Sequence, residues 1–265
     1  MSDLFSERYE RLRPIGQGAG AQVFSVRDTI TNHKYALKIA HSALAKHAMV
    51  RNRWKREISM HARFEHPYIV PLFDYGTMDK GEPYIIMGLA KSAMDSEMKK
   101  GISIEQLFLW IEQILQGLSY LHARNIVHQD FKTENVLIND DGDAWIIDFS
   151  VARSLSELRI HPSEITGTMG WMAPEQQLKQ IHHIGPWTDL YAVGKVFELL
   201  QYNIEDASPI SHILESWTSK NPYRRPNSAA DAITDLDIAR RKARKLFVET
   251  GQEWLKQNVV IKQLP

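Results

Sequence analysis

The sequence predicts an α+β chain, a small β-rich N-terminal part with one main helix followed by a larger, mainly helical part. Three observations carry this. Gln22–Asp28 and Lys34–Ala40 alternate apolar and polar residues, the pattern of half-buried strands. Trp54, Ile58 and Ala62 lie four apart and mark one helix after them. From Ile104 the apolar residues recur every three or four positions as far as Leu121, the stripe of a long amphipathic helix.

In chain order, Tyr9–Ile15 opens as a strand and runs into a glycine cluster, and Thr31–His33 supplies the turn before Lys34–Ala40. The helical stretch Met49–Phe64 is expected to stop at His66-Pro67, because the residue before a proline avoids the helical region. Ile69–Tyr75 and Pro83–Leu89 read as two more strands around a turn at Asp79–Gly81. Ser103 with Gln106 three residues on is a capping-box signature. It opens the helix carrying Ile104, Leu107, Phe108, Ile111, Ile114, Leu115, Leu118 and Leu121, which runs to about Ala123. Val136–Ile138 and Ala144–Ile147 are short strands flanking Asn139–Gly142. Helical patterns return at Asp189–Gln201, at Ile210–Trp217, and from Ser228 to about Gln257. The boundary between the two parts falls near Leu89–Ala93.

The bulk numbers exclude some classes. With 32 basic and 32 acidic residues in 265, net charge offers no argument for nucleic acid or a membrane surface as partner. Cysteine is absent, so there is neither a disulfide framework nor a cysteine zinc site. The first residues lack a signal-peptide core, and no apolar run approaches the length of a membrane span. The reading is a soluble, cytoplasmic protein with no signal of its oligomeric state.

Gly16-Gln-Gly18-Ala-Gly20-Ala21-Gln-Val23 is the first stretch with chemical content. Glycines let backbone N–H groups approach phosphate oxygens, since no Cβ intervenes. An ordinary turn and a dinucleotide-binding fold compete with this. The second needs a helix straight after the glycines and an acid about twenty residues on. A strand-like run follows instead, and Lys38 stands where the acid would. Lys38, in Tyr35-Ala36-Leu37-Lys38-Ile39, then reads as a cation reaching phosphates rather than a plain strand lysine. Glu57 is offset from the Trp54/Ile58 stripe and free to turn toward that strand; its bland alternative is a solvated carboxylate beside Arg53, Lys55 and Arg56. A Lys–Glu pair would fix the ammonium for phosphate.

His128-Gln129-Asp130-Phe131-Lys132-Thr133-Glu134-Asn135 resembles the catalytic loop of protein kinases, and Asp148-Phe149-Ser150 resembles their D-F-G. Thr166-Gly167-Thr168 and Met172-Ala173-Pro174-Glu175 resemble the end of an activation segment, and Asp189 and Arg225 match two later landmarks. The motifs come in the family's order over Tyr9 to Leu236. On them the chain is similar to the eukaryotic-type Ser/Thr protein kinases, as a divergent, minimal member.

That resemblance implies a bilobal kinase-like fold, with an N-lobe over 1–90 and a C-lobe over 91–265 that includes a C-terminal helical extension. It implies transfer of the ATP γ-phosphate to Ser or Thr of a protein substrate with Mg2+. Asp130 would accept or orient the hydroxyl proton, and Lys132 would stabilise the transferring phosphoryl. Lys38 and Glu57 would form the phosphate-holding pair. Nucleotide-binding positions carry over to Gly16, Gly18, Gly20, Val23, Ala36, Lys38, Met87, Gly88, Ala90, Asn135 and Asp148. Met87 would back the adenine and Gly88–Ala90 would form the hinge. Asn135 and Asp148 would hold the metal. Thr168 would line the acceptor site, Glu175 and Arg225 would form a buried pair, and Asp189 would brace the catalytic loop.

Five departures accompany the resemblance. Gln129 replaces an arginine that pairs with activation-segment phosphate, so phosphorylation at Ser154, Ser156 or Ser163 is expected not to be the switch. Ser150 replaces the glycine of D-F-G and is expected to resist a flip of Asp148 and Phe149, because serine disfavours positive φ. Ala21 replaces a loop glycine, and Thr133 a frequent proline. The stretch between Asp189 and Arg225 is short, so the helix that projects there in the family is expected to be missing or reduced to a turn. The basic run Arg240–Lys245 reads as a solvated helix face, with an anionic partner as the rival, and Val259–Leu264 is apolar enough to dock back. Two other functions compete with the kinase: a nucleotide-binding pseudokinase scaffold, which intact Lys38, Asp130, Asn135 and Asp148 oppose, and a small-molecule phosphotransferase, which the segment Thr166–Glu175 opposes.

Overall fold

The computed structural model describes residues 3–5, 8–18, 20–160 and 167–261, with backbone alone for 3–5, 159 and 160. Ala19, Ser163, Ile165, Thr166 and the tail 262–265 of the readings above lie outside the described residues. The chain divides into two compact units, Met1–Lys91 and Ser92–Pro265.

The first unit is an antiparallel six-stranded sheet with two helices. Its elements are β1 (Asp3–Phe5), β2 (Tyr9–Gln17), β3 (Ala21–Asp28), β4 (Lys34–Ala40), α1 (Ser42–Ala45), α2 (Ala48–His61), β5 (Leu72–Thr77) and β6 (Pro83–Gly88), in sheet order β1-β2-β3-β4-β6-β5. The predicted alternation sets the faces: Val26, Leu37, Tyr84 and Ile86 gather with Tyr9 into a buried cluster. Asp28 closes the β3–β4 turn by accepting from Ile30 N at 2.9 Å, and the Arg8 guanidinium, 2.7 Å away, holds its carboxyl well below the usual carboxylate range. Strand β1, not expected from the mixed sequence at the N-terminus, pairs with β2 through Asp3↔Arg11 to Phe5↔Tyr9.

Helix α2 departs from its prediction in two ways. It ends at His61, well before Pro67, and its buried residues are Trp54, Glu57 and His61 while Ala62 is exposed. Spacings of three and four follow the 3.6 period, whereas the stripe of strict fours drifts off it. Two polar residues face inward because each finds a partner there. Ile69 and Val70, expected to begin a strand, are buried ahead of β5, where Ile69 makes only an isolated bridge.

The second unit is mainly helical. Strand β7 (Ser92–Ala93), helix α3 (Met94–Lys100) and strand β8 (Ile102–Ser103) lead into α4 (Ile104–His122). Ser103 caps α4 by accepting from Gln106 N at 3.1 Å, and all eight apolar residues of its predicted stripe are buried. After α4 come β9 (Ile126–Val127), β10 (Val136–Ile138), β11 (Ala144–Ile146), β12 (Arg153–Ser154) and α5 (Leu155–Ile160). The remaining elements are α6 (Pro174–Gln177), α7 (Pro186–Gln201), α8 (Ser211–Trp217), α9 (Ala229–Thr250) and β13 (Asn258–Val259). Phe108 and Trp217 each meet Phe197 edge-on, at 5.6 and 5.5 Å between ring centroids. Between α7 and α8 the described chain holds a single 3-10 turn at Ser208–Ile210, which agrees with the expected loss of a helix there.

Helix α9 stops at Thr250, short of the Gln257 expected, because Gly251 adopts a left-handed conformation (φ +73°) and donates to Phe247 O at 2.8 Å. The chain then folds back. Trp254 is buried against Phe108 at 5.9 Å and donates to Asp206 O at 2.7 Å, β13 pairs with β8, and Ile261 N reaches Met98 O. Among the described residues no helix is long and apolar enough to cross a membrane.

Candidate active site

In the first unit, strand register gathers the residues expected to meet a nucleotide. Gly16 pairs with Val23, Val23 with Lys38, and Ala36 with Met87, so Val23, Ala36, Lys38 and Met87 share one sheet face. Gly18 and Gly20 form the tip of the β2–β3 hairpin. Neither adopts positive φ, and a Cβ on Gly16 or Gly18 would meet nothing closer than 3.7 Å and on Gly20 nothing at all. The fold itself therefore does not require these three glycines. His41 steadies the tip, its Nε2 donating to Gly18 O at 2.9 Å. Gly88 closes β6 and donates to Pro71 O at 3.0 Å; Ala90 follows, half-buried.

Lys38 Nζ donates to Glu57 Oε1 at 2.6 Å, with the carboxylate side chain only 4% exposed. The ammonium also lies 5.4 Å from the centroid of the Trp54 ring, so two inward residues of α2 hold one cation. The third, His61, donates from Nε2 to Val70 O at 2.7 Å, and burial pushes its imidazole down to about 4.

In the second unit the catalytic-loop residues converge. Thr168 Oγ1 donates to Asp130 Oδ1 at 2.7 Å while accepting from Lys132 Nζ at 2.8 Å, and that ammonium stands 3.6 Å from Asp130 Oδ2. Asn135 Nδ2 donates to Asp130 O at 2.9 Å, with a second contact to Asp130 Oδ2 at 3.3 Å. This leaves Asn135 Oδ1, a hard oxygen, without a hydrogen bond among the described residues. Asp189 accepts from His128 N at 2.9 Å and Gln129 N at 2.8 Å, and so braces the loop as expected.

A family model described as protein kinase domain matches residues 9–235. The chain belongs to the protein kinase family. The serine/threonine-protein kinase PrkC of Bacillus subtilis is 27% identical over 97% of this kinase chain and 45% of its own length. The probable serine/threonine-protein kinase PknB of Corynebacterium glutamicum is 28% identical over 89% of this chain and 37% of its own. The chain thus spans less than half the length of these curated relatives. The solved kinase domain of Mycobacterium tuberculosis PknI shares its fold, with a TM-score of 0.70 at 21% identity over 91% of this chain and 98% of that one.

Around the catalytic loop the kinase domain stores backbone strain. Gln129 (φ +67°) and Asp148 (φ +64°) are non-glycine residues in left-handed conformation. In the D-F-G-like turn the positive φ thus belongs to Asp148 and not to Ser150, so in this conformation serine carries no cost from φ. Phe149 is buried edge-on against His128 at 5.5 Å. Gln129 is held by Asp189 at its N–H and by Gln176, which donates to its carbonyl at 2.8 Å. A Cβ at Gly167 would stand 3.0 Å from that same carbonyl, so any larger residue there would push the loop by a few tenths of an ångström. The Gln129 side chain donates to Val151 O at 2.9 Å and so is already committed to the segment.

Glu175 and Arg225 form the predicted buried pair, through two bonds of 2.7 and 2.8 Å. The basic run is partly neutralised: Arg240 pairs with Glu112 at 2.6 Å and Lys245 lies 3.5 Å from Glu249. Three features escaped the sequence reading. Ser154-x-x-Glu157 is a reciprocal capping box, with Glu157 N donating to Ser154 Oγ at 3.2 Å and Ser154 N to Glu157 Oε2 at 3.0 Å. It starts α5, whose Leu158 packs on Val127 and Ile184, and the S-x-x-E spacing was there to be read. Trp54 over Lys38 and His41 on the glycine tip carry no comparable local signal.

Proposed function

We propose that the chain is an active Ser/Thr protein kinase that moves the γ-phosphate of ATP to protein hydroxyls. The observation that carries this reading is the orientation of Asp130. One carboxylate oxygen accepts from Thr168 and the other faces the Lys132 ammonium and the Asn135 amide. A carboxylate held this way can align an incoming hydroxyl and take its proton, while Lys132 offers positive charge where the transferring phosphoryl develops negative charge. The preformed Lys38–Glu57 pair supports the same reading, since a lysine held by a carboxylate presents its charge to phosphates in one position.

The glycines of the β2–β3 tip, not needed by the fold, leave room for phosphate oxygens to approach backbone amides. Val23, Ala36 and Met87 would line the base on the same sheet face, with Gly88 and Ala90 at the hinge. Asn135, whose amide nitrogen is spent on Asp130, presents its oxygen, and with the Asp148 carboxylate it makes the donor set that Mg2+ prefers. Bound there with ATP, Mg2+ would neutralise charge on the phosphates. A cytoplasmic location, where ATP is supplied, goes with this reading.

The test is transfer of label from γ-labelled ATP to the protein itself and to a generic basic protein, with Asp130→Asn alongside. Label on Ser and Thr that vanishes in the variant supports the proposal. Retention of full transfer by the variant, or none by the wild type, sinks it.

A further inference from the structure

The basic run of α9 lies past residue 235, where the match to the family ends. From Arg240 to Lys245 it has five cations and no acid. Three of the five find partners. Arg240 pairs with Glu112 and Asp237, Lys242 Nζ lies 3.3 Å from His212 Nδ1, and Lys245 stands 3.5 Å from Glu249. Arg241 and Arg244 are exposed, and among the described residues neither side chain has a hydrogen bond or an ion pair.

Arg244 also lines a cleft of about 180 Å³, together with the apolar side chains of Ala243, Phe247, Trp254 and Leu255. Small-molecule sites run from roughly 300 to 1,000 Å³, so this cleft is sized for a single side chain. Its two acids, Glu105 and Glu253, both act on Lys256, the second through a 2.7 Å bond, so Arg244 is the cation left over. Arg241 precedes Arg244 by three residues, and Phe247 and Val248 follow it by three and four. The four are therefore neighbours on one side of α9. Phe247 is 48% exposed and Val248 82%, so two apolar side chains stand in water beside two unanswered cations.

We propose that this side of α9, with its cleft, is a docking surface for an acidic segment of a partner protein that carries one bulky apolar side chain. The apolar side chain would enter the cleft against Phe247 and Leu255, and flanking carboxylates would meet Arg241 and Arg244. A second copy of this chain would bring the same cations against these, which like charge opposes. A bilayer or a duplex is held by a broad basic field, and here the exposed acids Asp237, Glu249 and Glu253 interrupt it. The docking stands on this surface alone and does not depend on the kinase reading.

The test uses a fluorescently labelled, glutamate-rich peptide with one central leucine, titrated with the full chain and read by anisotropy. Binding is expected to weaken with added salt, to be lost when glutamine replaces the glutamates, and to fall about tenfold in the double variant Arg241→Gln, Arg244→Gln. Alanine in place of the leucine should cost the wild type about tenfold in affinity. In Phe247→Ser that swap should make little difference, which would place the leucine in the cleft. The peptide series needs only the wild type, so the proposal is tested even where a variant melts early. No binding by the wild type, or equal binding of the glutamine peptide, would overturn the proposal. So would undiminished binding by the folded double variant, or tighter binding of a DNA duplex or of anionic vesicles.

Discussion

Thr168 and Asp130, far apart in sequence, share a 2.7 Å hydrogen bond in which the threonine hydroxyl donates to a carboxylate oxygen and in turn accepts from Lys132. Thr168 thereby sets the rotation of the carboxylate and the place of the ammonium at once. Thr168→Ala should lower kcat by about 10²-fold through misplacement alone, while the melting temperature stays near that of the wild type. Thr168→Ser, which keeps the hydroxyl, should retain most of the activity. Steady-state kinetics on the two variants check this, and equal losses in both would show that the hydroxyl is not what matters.

Glu57 acts through Lys38, so its removal should be felt in nucleotide handling. Glu57→Gln keeps an acceptor near the ammonium but removes the charge, and KM for ATP should rise along with a fall in kcat. Trp54→Phe should be milder than Trp54→Leu, because the ring face over the ammonium is retained in the first. If leucine and phenylalanine behaved alike, the ring would be packing and nothing more.

Trp254 lies beyond the residues matched to the family, yet it is buried and pins Asp206. Trp254→Ala should cost about 3–5 kcal/mol of stability, the usual range for truncating a buried aromatic. Denaturant unfolding of the two proteins measures it. A cost under about 1 kcal/mol would mean the returning segment is only laid on the surface.

His61 predicts an acid limb to stability. Its native value, about 4, lies below the ordinary 6.5, so between those values the unfolded chain binds a proton that the native protein does not. The stabilisation is present above about pH 6.5 and is lost as pH falls toward 4, amounting to about 3 kcal/mol at full extent. His61→Gln, with an amide that can still reach Val70 O, should flatten the fall. Thermal melts at pH 7 and 5 on both proteins decide it.

Much of this was legible before any coordinates. The stripe of α4 and its Ser103 cap are local, periodic signals, and all of them are buried or bonded as read. The order of motifs from Gly16 to Arg225 announced the family because each carries several residues of fixed type. What the sequence hid depends on partners distant in the chain. His61 looks like a surface residue of α2 until Val70 O is seen to meet it, whereas Glu57 was read as the partner of Lys38 and is. Apolar Ala62, by contrast, was read inward and lies exposed. Left-handed Gln129 and Asp148 could not be anticipated, since neither residue type demands that conformation and the bonds that hold Gln129 come from Asp189 and Gln176. Strand β1 and the burial of Trp254 lie outside the motifs, where no pattern pointed to them, although apolar Val259–Leu264 was read to dock back and its described residues Val259 and Ile261 are buried.

The most direct test of the central claim is phosphoamino-acid analysis of a generic basic protein after incubation with γ-labelled ATP and Mg2+. Wild type, Asp130→Asn and Lys38→Met would be run side by side, each first shown to be folded by its melting curve. Label on serine and threonine is expected with wild type, and at least about 10²-fold less with either variant. Wild-type label confined to tyrosine, or undiminished transfer by Asp130→Asn, would contradict it.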